Sequence, residues 1–180
     1  MNLLQSKIQQ VEDSRKAFIA AAKGLSLAQS EFKPNPDSWS IKQVVEHMVW
    51  AERAGVVGMW KVLEGVKNGQ ALWEGENENQ GLGIEAVIEN TWQTREQVPT
   101  IAEPLWGGAL DFWISSLEAC AYTLKQLGEA LEGMDLEQII YPHPISGPLN
   151  IIQRIDFLSF HLKRHQGQIE RIKADPNFPK

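Results

Sequence analysis

Residues 110–131, LDFWISSLEACAYTLKQLGEAL, decide the fold because their apolar positions repeat three and four apart without a break. The repeating positions are Leu110, Trp113, Leu117, Cys120, Leu124, Leu127 and Leu131. This spacing places all of these side chains on one face of an α-helix, and such a seam is typical of helices that pack in bundles. The stretch therefore predicts a long helix within an all-α bundle.

Two earlier segments also carry helical spacing. In the first, Arg15 falls in line with the apolar positions and must reach the rim or a partner; those positions are Leu4, Ile8, Val11, Phe18, Ala22 and Leu25. The second begins at Ser40 and Gln43, which match the S-x-x-Q capping box, and we expect a helix from about Ile41 to Lys67. Its inner stripe includes small residues that would let a neighbouring helix approach closely; the stripe is Val44, Met48, Ala51, Gly55, Gly58 and Val62.

The last helical segment follows the turn-rich stretch YPHPISGP, residues 141–148. We expect it to run from about Leu149 to Ala174 and to end before Pro176. Its apolar stripe contains a histidine and consists of Ile151, Ile155, Leu158, Leu162, His165, Ile169 and Ile172. No stretch shows strand alternation with hairpin signals, so the economical fold is an all-α four-helix bundle forming one domain over residues 1–180.

Residues 68–108 are the least regular part of the chain, and they predict a long crossover between the second and third helices that covers one end of the bundle. A helical piece is expected from Ile84 to Gln97. The crossover also contains Trp73, Trp92 and Trp106, which either line an apolar pocket or fill the core.

The composition excludes several classes of partner. Seventeen basic and twenty-three acidic residues give a net charge of -6, which leaves no bulk positive surface for nucleic acid or an anionic membrane. The N-terminus becomes polar after four residues, and no run approaches eighteen apolar residues, so a cytoplasmic location is expected. The single cysteine, Cys120, excludes an internal disulfide and a CxxC motif, and its place in the leucine seam favours a small buried hydrophobe over a nucleophile.

Three of the four histidines are candidates for a metal site. His165 lies in the apolar stripe of the last helix and His161 at its edge, one turn earlier, while His47 borders the buried face of the second helix. Three inward imidazoles from two helices suit a divalent metal with one or more open positions. The open alternative is that these histidines are simply hydrogen-bonded in the core. His143, between two prolines, either adds a further ligand or is a loop histidine that fixes its own turn or meets solvent.

The residues around the histidines exclude two other kinds of metal site, a di-iron carboxylate site and a zincin-type zinc site. A di-iron bundle needs Glu-x-x-His, but the residues three before the histidines are Val44, Ile140, Leu158 and Leu162. A zincin needs HExxH, and Leu162 occupies the glutamate position.

The chain resembles the DinB-like (DinB/YfiT) superfamily from about Leu3 to Pro179. The resemblance is carried by SWSIKQVVEHMV (38–49), YPHPISGPLN (141–150) and HLKRHQGQIERIKADPNFP (161–179) in this order. It implies a four-helix bundle with a divalent metal, zinc or nickel, bound by His47, His161 and His165, and it implies homodimers. Iron and copper also suit three imidazoles. Related activities include bacillithiol S-transferases and mycothiol-dependent isomerases.

One departure from the family pattern matters: relatives often read HERRH, whereas this chain reads HLKRH, so a carboxylate at that position is missing. Glu46, Glu52 and Glu170 are the remaining candidates for a base, although each is expected to be a solvated helix residue. The sequence therefore leads to a metal-dependent thiol S-transferase, or a related isomerase or hydrolase, acting on a small electrophile. The alternative is a non-catalytic, stress-associated protein that binds a metal or ligand.

Overall fold

The structure is a computed structural model that describes residues 2–70, 73–92 and 98–180. Over these ranges the chain is all-helical, without strands, and a short 3-10 turn lies at Thr100–Ala102. The helices are α1 (Leu3–Ala22), α2 (Leu27–Glu31), α3 (Ile41–Lys67), α4 (Ile84–Thr91), α5 (Leu110–Ala130) and α6 (Ile151–Lys173). The predicted all-α class is confirmed.

Side-chain caps explain where the helices begin. The predicted capping box at Ser40 and Gln43 is present at the start of α3. The same reciprocal bonding starts α1, α2 and α6, from Asn2, Ser26 and Asn150. Each box satisfies amide groups that the first helical turn leaves free. The short helix α2 was not predicted, and α1 ends at Ala22 before reaching Leu25, close to Gly24 with its positive φ of 77°.

The four long helices pack around a shared core. Helix α1 packs against α5 and α6, and α3 packs against the same two helices, so α1 and α3 lie across the bundle from each other. The apolar stripes predicted for these helices face this core, and on α5 all positions of the seam except half-buried Leu110 are buried. Burial of these stripes supplies the main apolar driving force for the fold.

A buried ion pair crosses the bundle between α1 and α3. The Arg15 guanidinium donates to the carboxylate of Glu52, and it also pairs with Glu12 on its own helix at 2.6 Å. Arg15 and Glu52 are 2% and 1% exposed. Of the two alternatives expected for Arg15, the rim or a partner, the structure therefore shows the partner.

The small residues of α3 make room for two different neighbours. A Cβ at Gly55 would lie 3.4 Å from the Leu158 side chain of α6, as expected for close helix packing. A Cβ at Gly58 would instead overlap the phenol of Tyr141, which comes from the connection before α6 and not from a helix. This second neighbour differs from the prediction because a loop side chain, and not a helix, fills the gap.

The crossover contributes two pieces that contact the bundle. Helix α4 packs on α6, and the 3-10 turn packs on α3. The predicted helical piece is found over Ile84–Thr91, whereas residues 93–97 lie outside the described ranges. Among the described helices, none combines the length and apolar character needed to cross a membrane.

Candidate metal centre

Packing of α3 against α6 brings the three predicted histidines together. His47 comes from α3, while His161 and His165 lie one turn apart on α6. All three are buried, with exposures between 4% and 8%. Each offers one ring nitrogen, and these three nitrogens lie within 4.8 Å of one another. These residues are called the histidine cluster below.

The Nε2 atoms point at the centre of the histidine cluster. The Nε2 atom of His161 lies 3.4 Å from Nε2 of His47 and 3.0 Å from Nε2 of His165. On the opposite side of each outer ring, Nδ1 meets an oxygen. His47 Nδ1 lies 2.8 Å from the carbonyl of Ala102, and His165 Nδ1 lies 2.7 Å from the side-chain oxygen of Gln168.

These contacts fix the protonation of the rings and show that they suit a cation. A carbonyl oxygen only accepts, so Nδ1 of His47 and of His165 must each donate a proton, which leaves a lone pair on each Nε2. The Nε2 of His161 can donate to just one of those two atoms. There are two close pairs of Nε2 atoms, His161 with His47 and His161 with His165. In at least one of these pairs two lone pairs therefore face each other, unless a cation lies between them. A metal-binding histidine typically has its other nitrogen bonded to an oxygen in this way.

Burial keeps the histidine cluster neutral. Loss of solvent lowers the pKa of His47, lowers that of His165 to about 3, and lowers that of His161 well below its usual value. The neighbouring Arg164 charge lowers all three further. Since neutral imidazole is the form that binds metal, the rings need not lose a proton before binding at neutral pH.

A groove leads along α6 to the histidine cluster. It has a volume of about 740 Å³, and its wall includes His165, so a small molecule in it reaches the edge of the cluster. Other lining residues are Asp37, Trp39, Arg164, Gln168 and Arg171. The volume is in the range of small-molecule sites. This space is called the α6 groove below.

Comparison with known proteins agrees with the geometry. A family model described as the DinB superfamily matches residues 10–169. The chain belongs to the DinB superfamily. One relative, the uncharacterized protein YuaE of Bacillus subtilis (strain 168), is 29% identical over 156 residues, which cover 84% of this chain and 87% of the relative. No solved structure matches the chain.

Within this member of the DinB superfamily, His143 has a structural role. Its Nδ1 accepts hydrogen bonds from the backbone amides of Ile145 and Ser146, both at 3.2 Å. The Phe157 ring contacts both His143 and His161, with ring centroids 4.4 and 5.5 Å away. Of the two roles expected for His143, the structure therefore shows the turn-fixing one.

The three glutamates considered as bases have different surroundings. Glu46 is fully buried, and its carboxylate accepts from the amides of Trp106 at 2.6 Å and Gly107 at 3.1 Å. Glu52 is buried against Arg15. The expectation that both are solvated was wrong, because a loop and a diagonal helix cover them. Glu170 is exposed, as expected.

Of the three crossover tryptophans, Trp92 lies beside the histidine cluster, with its ring centroid 6.5 Å from that of His161. Trp106 is 78% exposed, and Trp73 bonds the carbonyl of Glu76. Trp92 also packs against the small apolar core that α4 forms with the start of α6, so of the two expected roles the structure shows core filling for this residue. Cys120 is buried in α5, as its place in the seam predicted.

Two oxygens that orient the histidine cluster were missed from the sequence. Gln168 stands three residues after His165 on the same helix face, and this spacing was a usable signal. The Ala102 carbonyl gives no sequence signal, because any residue has one and its position depends on how the crossover folds.

Proposed function

We propose that this chain is a metal-dependent enzyme that transfers a low-molecular-weight thiol to small electrophiles, or catalyses a related isomerisation or hydrolysis. The observation that carries the proposal is the neutral histidine cluster with its Nε2 atoms converging beside the α6 groove. A purely structural set of histidines has no need for three ring nitrogens within 4.8 Å of one another beside a groove that His165 lines.

His47, His161 and His165 would bind the divalent metal, zinc or nickel by the family resemblance, with iron and copper acceptable to the same ligands. When bound, the metal would supply Lewis-acid chemistry that lowers the pKa of a thiol or water. The chain itself orients the ligands. Ala102 fixes the His47 ring, Gln168 fixes the His165 ring, and burial keeps bulk water from competing.

The proposal assigns no glutamate base. The Glu46 carboxylate is bonded to two backbone amides, and Glu52 is bonded to Arg15, so neither is free to accept a proton from a substrate. Thiol activation does not require a base, because a divalent cation stabilises the thiolate directly.

Two measurements test the proposal. Elemental analysis of protein purified without a histidine tag or chelator should find one divalent metal per chain, and His165→Ala should lose it. With metal loaded, conjugation of bacillithiol, glutathione or coenzyme A to a panel of electrophiles should exceed the uncatalysed rate. A fully metal-loaded protein that conjugates none of these thiols would contradict the enzymatic proposal and favour the non-catalytic binder.

The coordination of the metal distinguishes the enzyme from the non-catalytic binder. An enzyme needs an open position on the metal for substrate, whereas the binder would fill that position with a protein ligand. In the binder a fourth protein ligand such as His143 would close the site, but Nδ1 of His143 already accepts hydrogen bonds from the amides of its own turn. The absorption spectrum of cobalt-substituted protein should change when thiol is added.

We also propose a homodimer in the cytoplasm on the basis of the family resemblance, and light scattering of the purified chain tests the dimer.

A further inference from the structure

Two arginines line the α6 groove on the same face of the helix. Arg164 and Arg171 are seven residues apart, which separates them by about 10 Å along the helix axis. His165 and Gln168 line the groove in the stretch between them. A molecule that contacts Arg164 from within the groove therefore also lies beside His165 at the edge of the histidine cluster.

The arginine charges are not neutralised by ion pairs with any carboxylate of the described residues. The guanidinium of Arg164 lies 5.5 Å from the centroid of the Trp92 ring, which supports it without cancelling its charge. Arg164 directly precedes His165 in α6, and both residues line the groove, so this charge lies beside the edge of the histidine cluster.

This local charge contrasts with the rest of the chain. The net charge of -6 repels anions in general, and Asp37 and Asp175 also line the α6 groove. An anion is therefore not drawn here by the overall field, and its binding requires direct contact with a guanidinium. The planar guanidinium matches a carboxylate through two parallel hydrogen bonds.

We propose that the α6 groove binds a carboxylate of the thiol that reacts at the histidine cluster, with Arg164 as the main contact and Arg171 as the second. The proposal rests on the proposed function, which makes the cluster the reacting centre, and it narrows the substrate class to carboxylate-bearing thiols. Binding of the carboxylate next to His165 positions the rest of the molecule toward the cluster.

The test compares two probes that differ only in this group, 3-mercaptopropionate and 3-mercaptopropionamide. Backbone amide shifts are followed by NMR titration of the whole chain, both metal-free and zinc-loaded. The carboxylate probe should bind at least tenfold more tightly in both forms and should shift the amides of Gln168 and Arg171. Arg164→Gln should remove this preference, and Arg171→Gln should reduce it.

Lys163→Gln is the matched control, because Lys163 is the neighbouring cation and is exposed. This variant should keep the preference. Equal binding of the two probes, absence of binding by either, or a preference that survives Arg164→Gln would overturn the proposal. Carboxylate-dependent binding without any conjugation by metal-loaded protein would leave the groove site intact and would contradict the proposed function alone.

Discussion

Replacing Gln168 with leucine should weaken metal binding without unfolding the protein. The Gln168 side-chain oxygen lies 2.7 Å from Nδ1 of His165 and accepts its proton. Leucine keeps much of the volume but provides no acceptor. The His165 ring then loses the contact that fixes its orientation and keeps the Nε2 lone pair directed at the centre of the histidine cluster.

The expected loss can be estimated from this single contact. Removing an oxygen partner of a ligating histidine typically lowers metal affinity by about 10- to 100-fold. At about 1.4 kcal/mol per tenfold, this corresponds to about 1.4–2.8 kcal/mol. The free energy of unfolding of the metal-free protein should fall by less than this, because Gln168 is half-buried and water can replace the lost acceptor. Metal affinity should therefore fall more than the stability of the metal-free protein.

Competition with a chromophoric chelator measures the affinity, and urea unfolding of metal-free protein measures stability. Gln166→Leu is the matched control, because Gln166 lies on the same helix and bonds the exposed Glu170 at 2.9 Å. Gln168→Glu should retain the affinity, as a carboxylate also accepts from Nδ1. If Gln168→Leu binds metal as tightly as Gln166→Leu, the role assigned to Gln168 is refuted.

Three further predictions concern stability and reactivity. Glu46→Ala removes the acceptor of two loop amides and should lower the free energy of unfolding in urea by about 3 kcal/mol, and a loss below about 1 kcal/mol would contradict that anchoring role. Gly58→Ala should cost about 1–3 kcal/mol, because the new methyl overlaps the Tyr141 phenol. In the same assay Gly167→Ala should gain up to about 1 kcal/mol, since its Cβ meets only an arginine nitrogen at 3.5 Å, and equal effects at the two glycines would argue against the overlap. Burial raises the pKa of Cys120 to about 11, so at pH 8 roughly one thiol in a thousand is ionised, and iodoacetamide should alkylate the folded protein at least tenfold more slowly than the denatured protein, as mass spectrometry can check.

The parts of the fold that could be predicted from sequence depend on local spacing. The α5 seam and the cap at Ser40 follow from helical periodicity and from bonds across three residues, so both were found. The histidine cluster was found for a related reason. Once each histidine is assigned to the inner face of its helix, packing of α3 on α6 brings the rings together.

The features that escaped prediction depend on distant parts of the chain. Glu46 looks like an ordinary polar helix residue until the loop at Trp106, sixty positions later, folds onto it. Gly58 was expected to face a helix, but the Tyr141 phenol occupies that space. The arginine lining of the α6 groove was missed as well. Arg164 and Arg171 share a helix face in the sequence, but the groove exists only because the chain near Asp37 and Trp39 forms its other wall.

The buried Arg15–Glu52 pair has a consequence for how the bundle tolerates change. Sliding α1 by one turn along α3, about 5.4 Å, would separate Arg15 from Glu52. Arg15 would keep Glu12 on its own helix, but the buried Glu52 carboxylate would lose its partner, which costs several kcal/mol. The Arg15–Glu52 pair therefore favours one register of α1 relative to α3. The segment that connects α1 to α3 does not have to set this register. We therefore expect changes in its length to leave the relative positions of the two helices unchanged.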